Sequence, residues 1–181
     1  VLPGDRLHDA SFAGADFTPG AAECAHRFRV AESMISGIRW NSQEANMIEL
    51  AERLLTEHRT IAVVGLSTNP MKAAHSVPAA MQAAGFRVIG VHPSADRLLG
   101  GPAYRTLSEI PEPIDIVNVF RPAAEAPGIA RQAVAIGAKA LWLQQDIFSP
   151  EARRIAEEGG LAYVEDQCIA VVRALSGAHK N

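Results

Sequence analysis

The run Thr60-Ile61-Ala62-Val63-Val64-Gly65-Leu66-Ser67-Thr68-Asn69-Pro70-Met71-Lys72 decides the fold. A short, continuous, β-branched apolar run that ends on glycine predicts a strand buried on both faces, as in a parallel sheet. Gly65 allows a tight turn and a close backbone approach. Pro70 suits the first turn of a following helix, where its missing N–H costs nothing. That helix is expected over residues 71–84, stopped by Gly85.

Downstream, the same alternation repeats. Phe86–Val91 reads as a second strand closed by His92-Pro93, and residues 94–113 as turns with a short apolar piece before Pro111-Glu112-Pro113. Ile114–Phe120 is a third strand, residues 123–136 a helix ended by Gly137, and Ala138–Leu143 a fourth strand. Residues 150–158 form a helix with Pro150 at its start and Gly159-Gly160 at its end. Leu161–Val164 is a fifth strand, followed by a short helix over Cys168–Leu175. Upstream, Asn41 or Ser42 can cap a helix in which Met47, Ile48, Leu50, Leu54 and Leu55 recur at helical spacing, ending near His58. Residues 1–33, rich in Gly, Ala, Pro and Asp, show no apolar period. The division is therefore a loose N-terminal extension over 1–40 and one domain over 41–181. Strand–helix alternation implies an α/β domain: Rossmann-like, doubly wound, with a mostly parallel five-stranded sheet and helices on both faces.

The composition narrows the function classes. The chain has 181 residues, 48% hydrophobic and 20% charged, with a formal net charge of −3. These are values of a soluble globular domain without a basic footprint, so nucleic acid is not the expected partner. No apolar run reaches the roughly 18 residues of a membrane span, and the first residues lack a signal peptide's order. The two cysteines, Cys24 and Cys168, form no CxxC pair or metal-spaced cluster. A cytoplasmic location, with both as thiols, is expected. A small-molecule ligand is the default partner, and a homodimer or a protein partner stays open.

A doubly wound sheet binds ligands outside the carboxyl ends of its strands, where the strand order reverses. With the common order 3-2-1-4-5, the reversal is expected between the strand at 60–64 and the one at 114–120. The loop after the first strand holds Gly65, Leu66, Ser67, Thr68 and Lys72. It offers two hydroxyls, a full positive charge and the free N–H groups of a helix start, and together these make a phosphate cradle. Ser67 and Pro70 replace the second and third glycines of GxGxxG, and GxxxxGK[ST] is absent, which argues against a Walker-type NTPase. At the second strand's end stand Val91-His92-Pro93-Ser94, without the carboxylate an NAD site places there. A neutral or basic group at that point suits a phosphorylated ribose, which both NADP and coenzyme A carry. After the third strand, Phe120 can pack on an adenine or shape the cleft, and Arg121 can pair a phosphate in fork geometry. The plain alternatives are a turn that binds nothing, a surface imidazole, a core phenylalanine and a solvated arginine.

These residues resemble a family. Ile61–Ser67 with Pro70 and Lys72, then Val91-His92-Pro93, Ile114–Arg121, Ile136–Gln144, Gly160-Leu161 and Glu165–Ile169, are similar to the bacterial CoA-binding domain family, small proteins like the CoA-binding domain of succinyl-CoA synthetase alpha subunit. The resemblance runs from about residue 42 to 175. It implies a Rossmann-like fold with coenzyme A as cofactor. Gly65, Leu66, Ser67 and Lys72 would hold the phosphates, with Ser76 at the start of the first helix. The adenosine end would lie near His92 and Pro93. Phe120 and Arg121 would close the cleft, and Trp142 and Gln144 would lie near the pantetheine path. Four departures stand out: His92 where Asn is common, Asn118 where Asp is common, Ala73-Ala74-His75-Ser76 in place of a more polar stretch, and Gln145 where a Leu-Gly turn is frequent.

No catalytic constellation emerges. GxSxG and HExxH are absent, and His75, His92 and His179 read as ordinary polar residues. Trp142 at a strand end reads as a packed aromatic, and Arg153-Arg154 with Glu157-Glu158 as a solvated helix face. The expectation is non-catalytic binding of coenzyme A or an acyl-CoA. A small NADP-dependent oxidoreductase and a regulatory protein with a vestigial nucleotide cleft are the alternatives.

Overall fold

A computed structural model describes residues 42–181. The expected loose extension over 1–40, Cys24 and the Asn41 cap lie outside the described residues. Within them the order is α1 (Ser42–Glu57), β1 (Thr60–Val64), α2 (Ala73–Ala83), β2 (Arg87–Val91), β3 (Arg97–Leu98), β4 (Gly101–Tyr104), β5 (Ile116–Val119), α3 (Ala126–Ala135), β6 (Ala140–Leu143), α4 (Pro150–Glu158), β7 (Ala162–Val164) and α5 (Ile169–Ser176). Single 3₁₀ turns lie at Leu107–Glu109 and Ala123–Glu125.

The strands form one sheet in the order β3-β4-β2-β1-β5-β6-β7. All neighbours run parallel except β3, which is antiparallel to β4. The domain is thus α/β and Rossmann-like, as the alternation of strand and helix implied. The side-chain period of two divides each strand between two layers. Ala62, Val117, Val119, Leu141 and Leu143 face α3 and α4. Ile61, Val63, Ile116, Ala140, Trp142 and Val164 face α1, α2 and α5. The central strands are apolar on both faces because helices cover both.

All five expected strands are present, and two more join them. β3 and β4 lie in the stretch read as turns. They are joined by Leu99 and Gly100, at φ +49° and +78°, with Leu98 paired to Gly101. This is a two-residue hairpin turn of the primed type, in which both central residues need positive φ. Leu-Gly lacks the usual Asn-Gly signal, and Gly101 and Pro102 are poor strand formers, so local sequence hid the pair. With β4 counted as the third strand, the order 3-2-1-4-5 is met, and the reversal falls between β1 and β5.

The first helix after β1 starts later than its sequence suggested, at Ala73. Pro70 therefore sits in the turn before the helix and not in its first turn. Instead, Asn69 shapes that turn: its Oδ1 accepts from the Met71 N–H at 2.9 Å, and Ser67 Oγ accepts from the Asn69 N–H at 3.1 Å.

Candidate functional site: the crevice at the β1–β5 reversal

β1 and β5 run side by side, with Val64 opposite Val119 at their carboxyl ends. From there the chain leaves β1 toward α2 on one face and β5 toward α3 on the other. The two departing backbones are held together by the Phe120 N–H, which donates to Val64 O at 2.9 Å. Gly65 follows at φ +91°, its N–H donating to Val91 O at 3.2 Å. A methyl group on Gly65 would stand 2.8 Å from Arg121 Cδ and 3.0 Å from Phe120 O. Only glycine permits both the left-handed turn and this approach.

The α2 start carries no side-chain cap. Lys72 is its N-cap residue, in extended conformation. An uncapped start leaves N–H groups and the positive end of the helix dipole for a ligand. The Lys72 side chain is exposed, as are Thr68 and Met71, whereas Leu66 is buried in the core. Ser67 and Ser76 are half-buried. His75 braces the loop, its Nδ1–H donating to Ser67 O at 2.7 Å.

At the end of β2, His92 Nδ1 accepts from the N–H groups of Ser94 and Ala95, at 3.1 and 2.9 Å. The ring therefore builds the turn around Pro93 and carries its proton on Nε2. Arg105, just past β4, donates to His92 O and Ala95 O and pairs with Asp96. Nothing local marked Arg105, because its partners lie at the end of β2 and in the loop that follows it.

The other expected residues differ in accessibility. Phe120 is half-buried against the α1–α2–α5 layer. Arg121 already uses its fork on Glu125, with Nε to Oε2 at 2.9 Å and NH2 to Oε1 at 2.8 Å. That hydrogen bonding pushes the guanidinium further above its ordinary value. Trp142 is fully buried, and its Nε1–H donates to Gln167 O at 2.7 Å. It is a core residue and offers no open ring face. Gln144 is also buried, and its Nε2 donates to Oδ1 of Asn118 at 2.7 Å. Asn118, one step before the end of β5, is only 1% exposed. A polar residue inside the run Ile116-Val117-Asn118-Val119 was the available signal for it. Among the described residues, no cluster of three or more His, Cys, Asp or Glu is placed to hold a metal, and no helix is long and apolar enough to cross a membrane.

A glycine-pinned loop, an uncapped helix start and a lysine thus meet at the strand-order reversal. A family model described as "CoA binding domain" matches residues 59–174, which spans β1 through most of α5. The chain belongs to the CoA-binding domain family. A curated relative in this family, the uncharacterized protein YneT of Bacillus subtilis (strain 168), is 40% identical over 134 residues, covering 74% of this chain and 98% of the relative. A solved structure of a Thermus thermophilus protein is similar at 32% identity, with a TM-score of 0.66, over 76% of this chain and 99% of that one. The PH1109 protein redesigned for binding is similar at 29% identity, with a TM-score of 0.70, over 81% and 97% of the respective chains. The family resemblance first seen in scattered motifs therefore holds along nearly the whole described domain.

Proposed function

We propose that the chain binds coenzyme A or an acyl-CoA as a non-catalytic module. One observation supports the reading: the loop that leaves β1 at Gly65, beside the β1–β5 reversal, runs into the uncapped start of α2 with Lys72 at its N-cap. Two phosphates carry enough charge to be drawn there by backbone N–H groups and an ammonium acting together. On this reading the diphosphate lies along Gly65, Leu66, Ser67, Thr68 and Lys72, with Ser76 behind. The 3′-phosphoadenosine reaches His92 and Pro93. The pantetheine arm runs toward Phe120, Trp142 and Gln144. Arg121 joins the phosphates when it exchanges the Glu125 carboxylate for them.

Thermal unfolding with and without coenzyme A tests this. A ligand at one hundred times its dissociation constant stabilises the folded state by about 2.7 kcal/mol, a rise of several degrees in Tm. Dephospho-CoA should protect less, and Lys72→Ala should bind coenzyme A about tenfold more weakly while melting as the parent does. Absence of any shift with coenzyme A and acyl-CoAs, and of any co-purifying ligand in native mass spectrometry, would remove the proposal.

A further inference from the structure

The buried amide pair Asn118–Gln144 is half satisfied. Gln144 Nε2 donates to Asn118 Oδ1 at 2.7 Å, which fixes the Asn118 amide with its NH₂ group on the other side. That Nδ2 is buried and makes no hydrogen bond among the described residues. A buried donor left unsatisfied is costly and rare in folded proteins. Asn118 is paired in register with Val63 of β1 and Trp142 of β6, so it lies at the reversal itself, one residue in from the carboxyl end of β5. By strand alternation it shares the face of Ile116, which is the layer covered by α2, whose uncapped start is the proposed anion site.

We infer that Asn118 Nδ2 is a binding group for a carbonyl oxygen of the ligand's arm. The inference rests on the coenzyme A reading and deepens it by naming the contact that recognises the pantetheine or acyl end. Gln144 acts through Asn118. By donating to Oδ1 it holds the amide so that a donor, not an acceptor, is presented. A carbonyl is the complementary chemistry: an acceptor without charge, which enters a buried site at far lower desolvation cost than a carboxylate. The arm offers two sources of it, the pantetheine amides and the thioester of an acyl-CoA.

The experiment measures dissociation constants for 3′-phospho-ADP, coenzyme A and acetyl-CoA in the parent chain, in Asn118→Asp and in Gln144→Glu. Both substitutions keep the side-chain shape. The first removes the donor, and the second draws the Asn118 NH₂ onto the new carboxylate. Losing one such hydrogen bond should weaken binding about tenfold. The expected result is an unchanged constant for 3′-phospho-ADP, which also reports an intact fold, with a loss of about tenfold for both CoA forms if a pantetheine amide is the partner. Loss confined to acetyl-CoA identifies the thioester carbonyl. Equal effects on all three ligands, or none on any, overturn the inference, and Gln144→Glu decides the matter should Asn118→Asp fail to fold. A parent chain that binds none of the three overturns the coenzyme A reading itself, which is a different outcome.

Discussion

Single residues carry much of this site, and Gly65 is the sharpest case. It combines φ +91° with backbone and side-chain atoms of residues 120 and 121 within 3.2 Å of where a Cβ would be. Gly65→Ala should therefore destabilise the domain by about 1–3 kcal/mol and abolish coenzyme A protection, since the two loops must separate. Denaturant unfolding and the thermal assay read the two effects. Glu125 gives the opposite sign. Its carboxylate competes for the Arg121 fork, so Glu125→Ala should raise coenzyme A affinity a few-fold, by isothermal titration, with little change in stability because the pair is half exposed. Tyr163 shows how burial fixes a protonation state. Its hydroxyl donates to Glu165 Oε2 at 2.7 Å, and burial first, then that hydrogen bond, pushes the phenol well above its ordinary value. A folded value above the unfolded one means that its contribution is complete below the unfolded phenol value of about 10 and is lost as pH rises further. In Tyr104→Phe, which leaves Tyr163 as the one tyrosine, phenolate absorbance should appear only together with loss of the native circular dichroism.

Elements are joined by a few polar anchors whose spacing no local pattern announces. Asp115 precedes β5, and its Oδ2 accepts from the N–H groups of Arg59 and Thr60 at 3.0 and 2.8 Å. Its carbonyl oxygen accepts from Lys139 and Ala140. One residue thus aligns the amino ends of β1, β5 and β6. Asp115→Ala should cost about 1–3 kcal/mol by denaturant unfolding, because two N–H groups lose their partner. The start of α4 is held by Ser149, whose Oγ accepts from the Ala152 N–H at 3.2 Å, and Ser149→Ala should cost about 1 kcal/mol. Helix α4 was legible at this scale because Pro150 and Gly159-Gly160 bracket it, and α3 because Gly137 follows it, although its first three expected residues, 123–125, form a 3₁₀ turn. The β3–β4 hairpin was not, because a two-residue strand and a Gly-Pro strand start carry no periodicity to read.

At the scale of the molecule, two apolar layers share the same central strands. Val63 and Trp142 belong to one layer, while Ala62 and Leu141, their chain neighbours, belong to the other. Neither layer can open without exposing the sheet to the other side, so a single cooperative transition is expected. Far-UV ellipticity and tryptophan fluorescence should melt together, and coenzyme A should move both by the same amount. The architecture also accounts for the position of the candidate site. The chain leaves β1 and β5 for opposite faces, and a strand-order reversal of this kind is where open α/β sheets place ligands, outside the carboxyl ends of the strands.

The amino-acid sequence alone determined the alternation of strand and helix, the buried parallel core strands, the loop Gly65–Lys72 and membership of a CoA-binding family. Each depends on residues close together in the chain, where apolar period and turn chemistry act. Tertiary structure decided what depends on distant partners. It set Arg121 on Glu125, turned His92 into a turn-building acceptor and sank Trp142 into the core. It also left the Asn118 amide buried with its NH₂ group unpaired among the described residues, because hydrogen bonds between side chains are fixed by which strands lie side by side, and strand order is not written in any local run.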